Sequence, residues 1–249
     1  MATPNRWAIR DAGIATFYDL TTGKPVVTLR TLKTSGLETS GETVYARGGF
    51  GNPKLVGFSS NREAKLTLQD AIFDNKALAM LTGNDLIEGA TAVSRTEELL
   101  VKTNKITLTA TPKGKVYVYK VEADGTMGEE LSASEASSKD VTVTASDNTK
   151  VMAFYSTTTD ATAKTLKVTS DQFGKTFRVV LDCLVRDEFT KSDYAAQIEI
   201  PNAKFEDSFN LSMAVDGDPA VLHLNMEVLK SPTSTDMWLM KIYDEDELV

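Results

Sequence analysis

Apolar residues in this chain come in short runs rich in Val, Thr, Ile, Tyr and Phe, each closed by a cluster of Gly, Asn, Asp or Pro. One stretch alone has the three-and-four spacing of an amphipathic helix. A 249-residue chain patterned this way is held to a mainly β fold, in one large domain or two smaller ones, with length enough to bury a sizeable core. Strand-like runs fall at 14–20, 24–39, 42–49, 54–61 and 63–70, and again at 176–187, 195–201, 208–217, 220–230 and 236–246. The helical spacing predicts a helix over about 70–82, with Asp70 as N-cap, Ile72, Phe73, Leu78 and Leu81 on the apolar stripe, and Gly83 as its stop.

Between 104 and 170 the texture turns to Thr, Ser and Val, in segments such as "KVYVYKVEADG" and "KVMAFYSTTT" with polar turns between them. That spacing fits a small sandwich or an extension of the main sheet. The domain division expected is 1–105 with 175–249, and 106–174 as a β-rich elaboration. "GEELSASEASSKD", residues 128–140, is the most loop-like stretch and is expected outside the packed core.

"FNLSMAVDGDPAVLHLNMEVL", residues 209–229, sets Phe209, Leu211, Met213 and Val215 against Leu222, Leu224, Met226 and Val228 across Asp216-Gly217-Asp218. It reads as an antiparallel hairpin with one greasy and one polar side, the Asp-Gly pair supplying the positive φ of the bend. The oxygen donors lack the alternating pattern and late Glu of a calcium loop, so the acidic turn is read as a bend.

Chemistry is sparse. His223 is the one histidine, which removes a multi-His zinc site; with Asn225 and Glu227 it shares a strand's polar face and reads as a solvated or interface residue. Cys183, the one cysteine, lies in the apolar run "FRVVLDCLVRD", so an intramolecular disulfide is excluded and the thiol reads as a small buried hydrophobe. "ARGGFGNPK", residues 46–54, lacks the spacing and Lys-Ser/Thr ending of a phosphate loop and reads as a connection between strands. The acidic end "YDEDELV" reads as a solvated chain end. No catalytic residue, cofactor or metal is expected, and binding or structural roles rank above an enzyme.

A formal charge of -8 argues against tight wrapping of a phosphate backbone, which needs clustered Lys and Arg. No run approaches the ~18 apolar residues of a membrane span, and "MATPNRWAIRDAG" lacks a signal peptide's hydrophobic region. Folding in a cytoplasm, without membrane insertion, is the expectation.

Three stretches, "ARGGFGNPKLVGFSSNREAKLTLQD", "AIFDNKALAMLTG" and "AQIEIPNAKFEDSFNLSMAVDGDPAVLHLNMEVL", together resemble the tail tube (major tail) proteins of bacteriophages over roughly residues 1–105 and 175–249. The resemblance implies an antiparallel β-sandwich or barrel with one flanking helix, and no enzymatic activity. It implies a structural virion protein that self-assembles through strand edges into stacked, hexameric rings around the channel for genomic DNA, within a virion tail assembled in the host cytoplasm. Its partners would be further copies, other tail proteins including a sheath, and DNA passing without specific binding. Candidate lumen or assembly strands are 42–67 and 209–229, with Arg47, Lys54, Arg62, Lys65, Asn210, Ser212, Asp216, Asp218, His223, Asn225 and Glu227 as their polar residues. Loops 46–54 and 128–140 are candidates for contacts between rings or with a sheath. Competing readings are a baseplate or decoration protein, and a β-sandwich module that binds carbohydrate or protein. A sugar-binding face wants Trp or Tyr platforms, and Trp7 and Trp238 both lie near chain ends.

Overall fold

The structure is a computed structural model, and it describes residues 3–9, 11–211, 213, 215 and 219–247. The chain divides into two compact units. One takes in the residues up to Leu86 and those from Leu166 onward, and the other is the continuous stretch Ile87–Thr165 between them.

The main unit begins with β1 (Trp7–Ile9), β2 (Ile14–Asp19), β3 (Pro25–Leu29), β4 (Leu32–Arg47) and β5 (Lys54–Asp70), followed by helix α1 (Asn75–Thr82). The second unit holds β6 (Ile87–Glu88), β7 (Ala92–Leu100), β8 (Lys105–Thr107), β9 (Gly114–Val121), β10 (Met127–Ala136), β11 (Asp140–Thr142), β12 (Lys150–Thr158) and β13 (Lys164–Thr165). The chain then returns to the main unit with β14 (Thr176–Asp187), β15 (Asp193–Phe205), β16 (Leu222–Val228) and β17 (Leu239–Tyr243), and ends its described part in a single 3₁₀ turn, Glu245–Glu247.

In the main unit nine strands form one antiparallel sheet, in the order β3-β2-β14-β15-β16-β5-β4, with β1 added on β14 and β17 on β15. Among the described residues this sheet does not close on itself. Of the expected sandwich or barrel, a barrel is therefore not what forms.

The core lies on one face of the sheet. Phe17, Phe177 and Phe205, from the adjacent strands β2, β14 and β15, meet there with ring centroids 5.8 to 6.1 Å apart. Helix α1 covers the same face with Ala77, Met80 and Leu81. The alternation in "LHLNMEV" is realised in β16: Leu222, Leu224, Met226 and Val228 are buried, whereas His223 and Glu227 are exposed.

The helix starts later than its spacing suggests. Asp74, not Asp70, is the N-cap, accepting the N–H groups of Lys76 at 2.7 Å and Ala77 at 3.1 Å. Asp70 is the last residue of β5, buried, and its carboxylate accepts the Thr31 hydroxyl and the Ile72 N–H. The buried alternation of Ala64, Leu66, Leu68 and Asp70 carries the strand through a position that composition alone makes a good cap. Gly83 does end the helix, in the left-handed region at φ 74°.

Two further expectations are corrected. The described residues of 208–217 do not form a partner strand for β16: β15 stops at Phe205, residues 206–211 form no strand, and Phe209, Leu211, Met213 and Val215 are all exposed rather than packed on a core. β5 takes one edge of β16 from Leu222 to Glu227, and on the other edge β15 pairs with Met226–Val228 and the Glu206 N–H continues to the Asn225 carbonyl; beyond that point the described residues form no strand along β16. The Asp216-Gly217-Asp218 bend lies outside the described residues. Of residues 128–140, expected as a loop, 128–136 are strand, because β10 pairs with β9 from Met127 to Ala136 through two register shifts, and only 137–139 connect β10 to β11. As an outer strand β10 buries little, so its Glu, Ser and Ala content hides the pairing.

The second unit is a small sandwich. A four-stranded sheet, β10-β9-β12-β7, and the two-stranded sheet β11-β8 enclose Ile106, Val116, Val118, Val141, Val151 and Tyr155, while β13 pairs with β6 separately.

A Cβ at residue 83 would run into the carbonyl of Phe173, which packs on the helix end. Gly83→Ala should therefore cost more than the ~1 kcal/mol of a left-handed alanine. Gly51→Ala, at a similar φ of 82° with open space around it, should cost about that and no more. Thermal unfolding of the two variants beside the parent chain checks the difference.

Candidate assembly surface

β4 and β5, 16 and 17 residues long, form one hairpin that outruns the core. At ~3.3 Å per residue each strand spans about 50 Å. Burial on β5 ends at Ala64; from Lys54 to Glu63 every residue is exposed, and opposite them β4 is exposed as well. The departure point is irregular: the register shifts between Ser40 and Glu42, Asn61 takes φ 51°, and its side-chain amide donates to Glu42 at 2.8 Å. Such a shift bends a ribbon and increases its twist.

Beyond that bend the ribbon has two unlike faces. Val44 lies opposite Phe58 and Ala46 opposite Val56, so four apolar side chains share one face. Phe58 and Val44 are each 62% exposed, and Phe50 at the turn is fully exposed. The other face pairs Thr43 with Ser59 and Tyr45 with Gly57. The Tyr45 ring lies over Gly57, and the Lys54 ammonium sits 3.9 Å from the ring centroid. Neither face is covered, and a two-stranded ribbon alone is only marginally stable in water.

At the root, the solvent face of β5 and β16 is polar. Lys65 faces Glu227, Thr67 faces Asn225 and Gln69 faces His223 in register. Lys65 also donates to Glu206 at 3.1 Å, and that bond, with the charge of the same carboxylate, raises its pKa. Asn225 keeps its Oδ1 buried without a partner among the described residues. The structure thus gathers Lys65, His223, Asn225 and Glu227 on two adjacent strands. Arg62 is exposed where the ribbon leaves the core, beside a recess of about 650 Å³ that Lys230 and Trp238 also line. Arg47 and Lys54 stand at the far end of the ribbon, and Asn210 is exposed outside any strand. Ser212, Asp216 and Asp218 lie outside the described residues. The apolar side chains of the ribbon were missed by strand pattern, because neither face of 42–61 is apolar over its whole length.

Among the described residues no group of three or more His, Cys, Asp or Glu is placed to hold a metal ion. Several aspartates with lowered pKa serve turns instead. Asp187 accepts the N–H groups of Thr190 and Phe189 at 2.7 and 2.6 Å, which lowers its pKa, and Asp124 and Asp160 are lowered by the hydroxyl and then the N–H of Thr126 and Thr162. The Cys183 thiol is half-buried and is pushed up, first by burial and then by Asp11 and Asp182, which keeps it protonated and unreactive.

Comparison with known proteins gives two matches. The sequence model of the YomU/Tube protein family matches residues 7–240, a span that takes in both units and the whole ribbon. A tail tube protein of Bacillus phage SPR is 27% identical over 215 residues, which cover 81% of this chain and 76% of that relative.

A carboxylate whose folded-state pKa is depressed contributes stability above its unfolded value of about 3.9, and that contribution is lost as pH falls through the folded-state value. Melting temperature should therefore stay level from about pH 7 to 5 and fall below about pH 4 as the turn aspartates protonate. Asp187→Ala should lower it at neutral pH and converge with the parent chain at the acid end, measured by circular dichroism across the pH series.

Proposed function

We propose that this chain, which belongs to the YomU/Tube protein family, is a structural subunit of a phage tail that self-assembles into stacked, hexameric rings forming a tail tube. The observation that carries the reading is the ribbon of β4 and β5 beyond the core, with Val44, Val56 and Phe58 uncovered on one face. A soluble protein that stays monomeric rarely leaves such a patch open, whereas a second copy laid against it would bury the patch and stabilise the ribbon. Among the described residues the sheet is also open at both ends, at β3 and at β4. Unpaired strand edges template pairing with another chain, and a ring of copies removes them.

In this reading the strands 42–67 and the segment 209–229 face the lumen or the neighbouring subunit. By sequence the two stretches set Arg47, Lys54, Arg62 and Lys65 against Glu42, Glu63, Asp216, Asp218 and Glu227, so the charges nearly balance. Genomic DNA would pass such a lining without the cationic cluster that binds it tightly. The hairpin end at 46–54 is placed to meet an adjacent ring, another tail protein or a sheath. The role is structural rather than catalytic, and its place is the virion tail, assembled in the host cytoplasm. Among the described residues no helix is long and apolar enough to cross a membrane.

A charge at the centre of the apolar face tests this. By light scattering and negative-stain microscopy the parent chain should form rings and tubes; Phe58→Asp should abolish them and leave the melting temperature of the isolated subunit within a few degrees, since the side chain is exposed. Assembly of the variant at the parent's concentration would remove the ribbon from the account.

A further inference from the structure

The second unit carries an aromatic block that its own sandwich does not use. On the outward face of its four-stranded sheet, Tyr117 stands directly across from Phe154 and Tyr119 across from Met152. The Tyr119 and Phe154 rings touch edge to face, with centroids 5.9 Å apart. Tyr117 is 40% exposed, and the other three side chains are partly exposed. The inward-facing residues of the same strands, Val116, Val118, Val151 and Ala153, fill the core of the sandwich, so the outward block is not needed to close it.

The flanks of the block are low or carry carboxylates, with Lys150 and Lys115 beyond them on the same face. In the row of Phe154 and Tyr117 the outer neighbours are Thr96 and Ala133, which leave the rings uncovered. In the row of Met152 and Tyr119 both outer neighbours are carboxylates, Glu98 on β7 and Glu130 on β10. Tyr119 donates its hydroxyl to Glu130 at 3.0 Å, and Glu98 pairs with Lys150 at 2.6 Å.

We propose that this face binds a neutral glycan, stacking the C–H faces of a β-linked pyranose chain on Tyr117 and Phe154 while Glu98 and Glu130 accept its hydroxyl or amide protons. Size favours a sugar over a protein partner. Adjacent strands lie about 4.8 Å apart and alternate residues ~7 Å apart along a strand, so the block matches one or two pyranose rings. A stable protein interface takes about 800 Å² from each partner, spread over roughly 20 residues or more. Charge selects within the sugars, because Lys150 is paired with Glu98 and Lys115 stands across from Glu135, so among the described residues the face offers no cluster of free cations to hold uronic acids or sulfated chains. The criterion of an aromatic platform, which Trp7 and Trp238 fail by position, is met by tyrosines whose strand pairing the sequence does not show. This inference stands apart from tube assembly, which uses the main unit.

The test is surface plasmon resonance of the full chain over an immobilised hexamer of β-1,4-linked N-acetylglucosamine, with immobilised polygalacturonate alongside. The parent chain should bind the neutral hexamer and bind polygalacturonate more weakly or not at all. Tyr117→Ala should weaken binding about tenfold, the loss of one stacked ring, and Tyr117→Phe should keep it. Thr96→Arg, at an exposed position beside Phe154, should weaken it similarly without touching the core, which guards against a folding defect in the alanine variant. No binding of the parent chain, equal binding of Tyr117→Ala and Thr96→Arg, or a preference for polygalacturonate would each overturn the proposal. So would a change in oligomeric state of Tyr117→Ala in place of a change in sugar binding, since the face would then belong to a second copy.

Discussion

A two-stranded ribbon in water is held by little more than its own ladder of hydrogen bonds, and this chain extends one well beyond its core. Up to Ala64 the buried alternation of β5 ties the hairpin to the three-phenylalanine centre of the main unit. Past Asn61 and the register shift beside it, the ribbon keeps its strands paired but buries nothing. The same side chains that make it a weak element of a monomer, Val44, Val56 and Phe58, suit it to become a well-buried element of an oligomer. Burial of apolar area is worth about 25 cal/mol per Å², so covering three such side chains would contribute several kcal/mol per contact before the costs of association.

The two units divide the work differently. In the main unit, buried side chains sit on one face of an open sheet with a helix as lid, and polar residues such as His223 and Glu227 are left to face outward. The second unit is sealed within itself and pins its strands with a polar network around Glu97. Burial acts to raise the pKa of that carboxyl but is outweighed by hydrogen bonds from Thr109 and Tyr155 and by Arg95, so the group stays ionised and holds the start of the β8-to-β9 connection against β7 and β12. A unit built this way has no structural need of the aromatic block on its outer face, and a ligand is the simplest reason for the block.

Much of the fold was legible in the sequence because alternation and turn residues report directly on burial. β16 reads off its period, Gly83 reads as a stop because a left-handed residue is needed there, and "RGGFGNP" reads as a connection between strands. Failures came where local chemistry fits two structures. Asp70 is a good cap in isolation but ends a strand, since the buried alternation runs through it. "FNLSMAV" alternates as well as β16 does, yet alternation states only what a strand would bury and not whether a core lies there to receive it: Phe209, Leu211, Met213 and Val215 are all exposed. Residues 127–136 were hidden for the opposite reason, because an outer strand with small side chains buries too little to leave a pattern. The candidate site was half visible: its polar residues stand out in sequence, but the apolar ribbon face exists only through cross-strand pairing of Val44 with Phe58 and Ala46 with Val56.

The central claim is that the exposed ribbon becomes buried when copies of the chain come together. Hydrogen–deuterium exchange of peptides spanning residues 42–60, compared between dilute subunit and assembled particles, measures it most directly. The account predicts fast exchange in the subunit and strong protection in the assembly, while peptides of β14 and β15 are protected in both. Particles in which residues 42–60 exchange as fast as in the free subunit would contradict it.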